Sequence, residues 1–368
     1  MRKSTLLLGM MIAFAACDDL DDKELENGGN GDQVKNYETT GVYVLNEGSW
    51  NGNNSTLAYY DFKSGELNAD RFTEKNKRGL GSLANDMKSY GSKLYIVVNG
   101  SSQVEILDLA TGRSLKQIPM FTEDEQARQP RQVAFFEDKA YVCSFDGTVV
   151  RIDTASMEID ATVKVGRQPD GLCVQNGKLY VSNSGGLDYP NYDNTVSVVD
   201  LKTFQEIKKI EVVVNPYIMH PDKYGDVYVV SRGNYADVSS CLQRIDSKTD
   251  SVVEVFEGVE ALNFCIDGDW AYLYNYDYNV AAGSLRVLNV ATEQIERDSF
   301  ITDSTKFDTP YGINVNPVNG DVYLTNVADA TMTGDLFCFS KEGKLKFKLA
   351  DVGLNPNSVA FVQESVNE

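Results

Sequence analysis

A short alternating segment with a central tyrosine occurs seven times along this chain, and that repetition limits the possible fold more than any other feature. The copies are GVYVLN (Tyr43), KLYIVV (Tyr95), KAYVCS (Tyr141), KLYVSN (Tyr180), DVYVVS (Tyr228), WAYLYN (Tyr272) and DVYLTN (Tyr323). Each is followed by a polar loop of varying length and then a second β-rich segment, such as VEILDL, VSVVDL or LQRIDS. Asp61, Asp108, Asp153, Asp200 and Asp246 hold one position in that second segment, with Asn289 and Ser340 in its last two copies. A turn, a third strand such as QEIKKIEV, and a closing segment complete the unit. The closing segment is often led by proline, as in QPRQVAFF, QPDGLCVQ, TPYGINVN and NPNSVAFV.

Four short strands repeating about every 40 to 50 residues are the pattern of a propeller blade. Alternation of polar and apolar residues fits half-buried strands, and no amphipathic helix of useful length interrupts them. The chain is therefore read as all-β, a seven-bladed β-propeller over residues 40–368, with six or eight blades if a divergent unit is miscounted. It enters on a tyrosine strand and leaves on the closing strand SVAFVQ. The C-terminal strand should accordingly pair into the first blade and close the ring, which removes open sheet edges. Residues that recur in every blade belong to core or turn chemistry. The aspartates are expected to accept hydrogen bonds from the amides of the following turn.

Residues 1–16 read as a signal peptide. Met1-Arg2-Lys3 is a basic start, and the apolar run from Leu6 to Ala16 is shorter than the roughly 20 residues a membrane-crossing helix needs. The run ends in Phe14-Ala15-Ala16-Cys17, which resembles the lipobox of bacterial lipoproteins and makes Cys17 the expected acylated N-terminus. An ordinary signal peptide cleaved near Ala16 is the plainer alternative. Residues 17–39, with DDLDDKE and a Gly/Asn-rich stretch, read as a solvated tether. An acidic tract directly after the cysteine also resembles the surface-export signal of Bacteroidetes lipoproteins. In enterobacteria an aspartate there marks inner-membrane retention, so the expected location depends on the host. The outer membrane, facing the cell exterior, is favoured.

Loss of Arg2 and Lys3 with the leader would take the formal net charge from −20 to −22. A field of that sign disfavours nucleic acid, anionic lipid and polyphosphate partners. Beyond Cys17 there are five cysteines: Cys143, Cys173, Cys241, Cys265 and Cys338. They stand singly in apolar runs, without CxxC spacing. They read as buried core thiols and not as a zinc site.

Function is expected where the repeats depart from one another. The loops after the tyrosine strands and the connections into the closing strands should open on one face, around the central channel. The first set includes Asn46, Glu47, Trp50, Asn53 and Asn54 in blade one, and Asn183, Tyr189 and Tyr192 in blade four. Arg232 and Tyr235 follow in blade five, and Tyr276 and Tyr278 in blade six. The second set includes Arg128, Arg131, Arg167, Asp170, Tyr217 and Tyr311. Glycines and asparagines alone would signify turns. Loops that also carry Tyr or Trp suggest binding, since these rings give flat apolar platforms and asparagine both donates and accepts.

Catalysis is not expected. His220 is the only histidine, and no G-x-S-x-G elbow accompanies it. A calcium-dependent lactonase arrangement would have to come from Glu47, Asn183 and Asp170, and no fixed motif points to them. No metal and no cofactor are expected.

The opening blade, VYVLNEGSWNGNNSTLAYYD, resembles the start of a family of Bacteroidetes surface propeller lipoproteins, and the blades are similar to YncE-like and surface-layer propellers. The most specific element is the stretch from Asn46 to Asn54. The best-understood branch of that family captures cobalamin and hands it to an outer-membrane TonB-dependent transporter. The resemblance thus implies a corrinoid ligand and a transporter partner. A corrinoid has an apolar macrocycle edge, amide fringes and a phosphate-bearing tail. Tyr and Trp suit the first and Asn the second, while Arg128, Arg131, Arg167 or Arg232 suits the phosphate. The same surface would suit a glycan, and a glycan-binding or adhesive module is the alternative.

Overall fold

The structure is a computed structural model that describes residues 36–50, 52–277, 282–327, 329 and 331–366 of the 368-residue chain. The signal peptide, Cys17 and most of the assigned tether lie outside the described residues, as does Tyr278.

The strands form seven separate four-stranded antiparallel sheets, one for each tyrosine segment. In each blade the closing strand is innermost, followed outward by the tyrosine strand, the aspartate-bearing strand and an exposed outer strand. Blade four shows the order: Pro169–Gln175, Lys178–Asn183, Thr195–Asp200 and Gln205–Glu211. The first blade is assembled from both chain ends. Pro356–Val366 is its inner strand and pairs with Asn36–Asn46 in a register that includes Val42 with Phe361 and Val44 with Val359. The ring closes as expected. The first strand already begins at Asn36, four residues inside the segment assigned to the tether.

In each tyrosine strand the tyrosine and both its neighbours are buried; in Lys93–Val98 only the lysine is partly exposed. The core is divided into seven clusters, one between each pair of neighbouring blades, and each contains one of the seven repeat tyrosines. Tyr180, for example, packs with Val198 of its own blade and with Val227 and Val229 of the next. The repeat therefore encodes an interface and not a closed unit, which is why a single blade could not bury its apolar faces alone.

The second recurrent residue does what its position requires. Asp61 accepts from the amides of Lys63 and Ser64, Asp153 from Ala155 and Ser156, and Asp200 from Thr203. Asn289 and Ser340 make the same bond to Ala291 and to Glu342 in the last two blades. The outer strands are short or charged on their exposed edges, as in QEIKKIE, which discourages pairing with other chains. Of the five cysteines, Cys143, Cys173, Cys265 and Cys338 are buried as expected; Cys241, at a strand start, is only partly buried. Among the described residues no helix is long and apolar enough to cross a membrane.

Candidate functional site at the channel mouth

Each closing strand packs against the closing strands on either side, so the seven of them line a central channel. The second residue of six of these strands, or the residue just after their leading proline, varies around the ring. In order these are Asn85, Arg131, Asp170, Tyr217, Tyr311 and Asn357. By register Leu262 takes this place in blade six.

These residues are tied into one another around the mouth. The Tyr311 hydroxyl donates to Glu47 Oε2 at 2.5 Å, and Asn85 Nδ2 donates to Glu47 Oε1 at 2.8 Å. Arg131 Nη1 donates to Asn85 Oδ1 at 2.7 Å, and its Nε donates to Asp170 Oδ1 at 2.7 Å. One hydrogen-bonded chain thus runs through blades seven, one, two, three and four. The Tyr274 hydroxyl extends it to blade six by donating to the Tyr311 carbonyl. Burial, with the Glu47 carboxylate next in effect, raises the Tyr311 phenol far above its ordinary range. The ring therefore donates its proton to Glu47 and does not give it up.

Beside this chain, between blades three, four and five, lies a recess of about 170 Å³ lined by Arg131, Phe145, Asp170, Tyr192, Arg232 and Tyr235, among others. Two guanidinium groups stack on rings here: Arg131 lies 4.6 Å from the Phe145 centroid and Arg232 only 3.4 Å from that of Tyr217. Arg131 is neutralised by Asp170. The Arg232 guanidinium makes no hydrogen bond or ion pair to a carboxylate among the described residues. Over the recess, Tyr189, Tyr192 and Tyr235 form an edge-to-face series with centroids 6.0 Å and 5.9 Å apart. Tyr189 is 70% and Tyr235 62% exposed, so this rim faces solvent.

The remaining residues singled out from the sequence fall into other roles. Arg128 pairs with Asp146 at 2.7 Å, and Arg167 pairs with Asp188 and Asp193, bracing the long loop of blade four. Both are engaged by carboxylates, in contrast to Arg232. Asn46 and Asn183 are corrected: each ends a tyrosine strand, is fully buried, and is a structural bracket within the fold. Asn183 donates to Thr195 and Ser197 and accepts from the Gly166 amide, and Asn46 donates to the Val352 carbonyl. Asn54 is a turn former that accepts from the Ser49 amide at 2.9 Å, and Asn53 sits exposed at φ 45° in the same turn. Trp50, 76% exposed, projects beside them. Tyr276 is partly buried on the blade-six strand and does not line the recess.

Glu47, Asn183 and Asp170 do not converge. Asn85 and Arg131 stand between Glu47 and Asp170 in the bonded chain, and Asn183 is turned into its blade. Among the described residues no three or more His, Cys, Asp or Glu side chains gather in a way that would hold a metal ion. His220 packs edge-to-face on Phe264 at 4.9 Å, and burial, with Lys88 adding to it, pushes its imidazole down to about 3. It is neutral at physiological pH.

Asn85, Phe145, Asn215 and Asn357 were not singled out from the sequence. A signal was available for two of them. Asn357 follows the proline of NPNSVAFV, and Asn85 occupies the same register in a blade whose closing strand starts with alanine.

Residues 40–349 match a protein family described as a domain of unknown function, DUF5074. Among curated proteins, none matches the chain in sequence. Solved structures share the fold at low identity. A quinonprotein alcohol dehydrogenase-like protein of Bacteroides thetaiotaomicron aligns with a TM-score of 0.64 at 17% identity, over 88% of this chain and 78% of that one. Hydrazine synthase of Kuenenia stuttgartiensis aligns at 0.57 and 16%, over 70% and 77%. The computationally designed protein Ika8 aligns at 0.53 and 13%, over 86% and 90%. At these identities the likeness is one of fold alone.

Proposed function

The chain belongs to the DUF5074 family, and from that premise and the geometry of the channel mouth we propose that it binds a small ligand there and performs no catalysis. The ligand we propose is a corrinoid, captured by a protein lipidated at Cys17 on the outer membrane and passed to a TonB-dependent transporter. One observation carries the ligand reading. Of the four arginines singled out on this face, three are held by carboxylates, and among the described residues Arg232 alone is left to meet an anion, beside an exposed series of tyrosines. A phosphate-bearing tail and an apolar macrocycle edge are the two chemistries such a pairing suits. Purified protein should co-elute with cyanocobalamin on gel filtration at micromolar concentrations, and clean separation of the two would dismiss the corrinoid. Lipidation is tested separately, by metabolic labelling with palmitate that Cys17→Ser should abolish.

A glycan is the second reading, favoured by the exposure of Trp50 and Tyr189, since sugar faces stack on such rings. It requires retention on polysaccharide affinity gels, weakened by Trp50→Ala.

A further inference from the structure

The recess and the tyrosine rim differ in size and in charge, and together they describe the shape of a ligand. A volume of about 170 Å³ is too small for a macrocycle and suits one small group. The charged side chains that line it are Arg131, Asp170 and Arg232. Asp170 is committed to Arg131 through a 2.7 Å bond. Asp170 also acts on Arg232 through space, and Glu47 on Arg131, but Arg232 is the one guanidinium of the recess that no carboxylate bonds among the described residues. Arg232 is seated on the Tyr217 ring, 3.4 Å from its centroid, a contact that restrains the guanidinium before any ligand arrives. A guanidinium fork matches two oxygens of one planar or tetrahedral anion, and Tyr192 and Tyr235 line the same recess. A dianion would meet Asp170 without a second free cation to offset it. The rim supplies the other half: Tyr189, Tyr192 and Tyr235 offer edges and faces to a flat apolar body lying outside the recess.

We infer that Arg232, backed by Tyr217, is the anion-reading group of a two-part subsite. The recess takes a singly charged phosphodiester or carboxylate, and the tyrosine rim takes the flat apolar body joined to it. This rests on the mouth being a ligand site, but it does not require the ligand to be a corrinoid. Arg232 acts by binding alone; no bond is made or broken.

The test uses the full chain and two chromogenic probes in equilibrium dialysis, each with one flat ring: methyl para-nitrophenyl phosphate, a phosphodiester monoanion, and neutral para-nitroanisole. The anion should bind at least about tenfold tighter than the neutral probe, and Arg232→Gln should remove that preference. Arg232→Lys, which keeps the charge and loses the fork, should retain part of it, and thermal melts of both variants separate lost binding from lost folding. If the folded wild-type chain binds the two probes equally, or if Arg232→Gln keeps the preference, the inference falls, whatever cyanocobalamin does. If benzoate shows the same dependence on Arg232, the subsite reads monoanions in general; if benzoate fails while the diester binds, it reads phosphodiesters. Either result supports the assignment. Binding of the diester with no binding of cyanocobalamin would remove the corrinoid reading and leave the subsite standing.

Discussion

Arg131 Nε donates to Asp170 Oδ1 at 2.7 Å across the boundary between the third and fourth blades, and the Asp170 side chain is only 5% exposed. The pair is the most enclosed link in the chain of bonds around the channel mouth. Taking two charges out of water costs more than their attraction returns unless other groups complete their bonding. Here Asn85 and the Phe145 ring complete Arg131. Removal of one partner would leave the other charge buried and unmatched. Asp170→Ala should therefore destabilise the fold by about 3 kcal/mol in urea unfolding, while Arg131→Met with Asp170→Leu should recover most of the loss. A double variant no more stable than Asp170→Ala would show that the pair is not coupled.

The same closing strands approach one another closely at two glycines. A Cβ on Gly171 would stand 2.1 Å from the Tyr217 carbonyl oxygen, and one on Gly312 would stand 2.1 Å from that of Asn357. The obstacle in both cases is backbone of the next inner strand, which cannot swing aside. Ser182 and Thr325 hold the two glycine amides, at 2.8 Å and 2.7 Å, so blades four and seven use one device. Gly171→Ala and Gly312→Ala should each cost about 2 to 3 kcal/mol by widening the ring. Gly79→Ala, at an exposed position with open space around it and no left-handed backbone, tests the alternative that any glycine change is harmful, and should cost less than either.

The blades could be read from the sequence because each uses local rules: alternation, a turn carboxylate two or three residues before the amides it accepts, and a tyrosine at a fixed place. The site could be read only in part. Glu47 and Tyr311 meet although 264 residues separate them, and nothing near either one in sequence announces the contact. Arg128, Arg167 and Arg232 look alike in the sequence. Only the fold shows that Asp146, Asp188 and Asp193 occupy the first two and leave the third. Asn183 reads as a loop residue for a related reason. It lies at the start of a polar stretch, but it still pairs with Thr195 in the sheet, so its side chain belongs to the blade.

The seven tyrosines share a position but not a hydroxyl environment. Tyr43 donates to the Leu109 carbonyl at 3.0 Å, and Tyr180 donates to Asp250 at 2.5 Å. The hydroxyls of Tyr95 and Tyr228 are buried with no partner among the described residues. A made hydrogen bond contributes about 1 kcal/mol net, whereas a buried polar group left unpaired costs free energy. Tyr43→Phe and Tyr180→Phe should thus lower stability by about 1 kcal/mol, and Tyr95→Phe and Tyr228→Phe should be neutral or stabilising. Urea midpoints at constant slope measure the four side by side; equal losses in all four would mean that ring packing is disturbed instead.

His220 gives the fold an acid sensitivity that can be isolated, because the chain has no other histidine. In the native state burial holds the imidazole at about 3, against an ordinary value of about 6.5 in the unfolded chain. Between those values the unfolded chain binds a proton that the native chain does not. Unfolding then takes up protons, so stability rises with pH through the window and falls as the pH is lowered through it. Above about 6.5 the residue is neutral in both states and adds no pH dependence. The groups that bear on it are Lys88, whose charge opposes a second cation, and Phe264, whose ring excludes water and whose backbone offers only one hydrogen bond. Carboxylates with lowered values, such as Asp61 and Asp200, slope in the same direction at lower pH, so the wild type alone cannot be interpreted. The comparison with His220→Gln removes them. Urea unfolding at pH 4.5 to 6 should show the wild type losing about 1.4 kcal/mol more per unit of acidification than the variant, the equivalent of one proton. Parallel slopes for the two proteins would mean that the channel wall lets His220 protonate in the folded state.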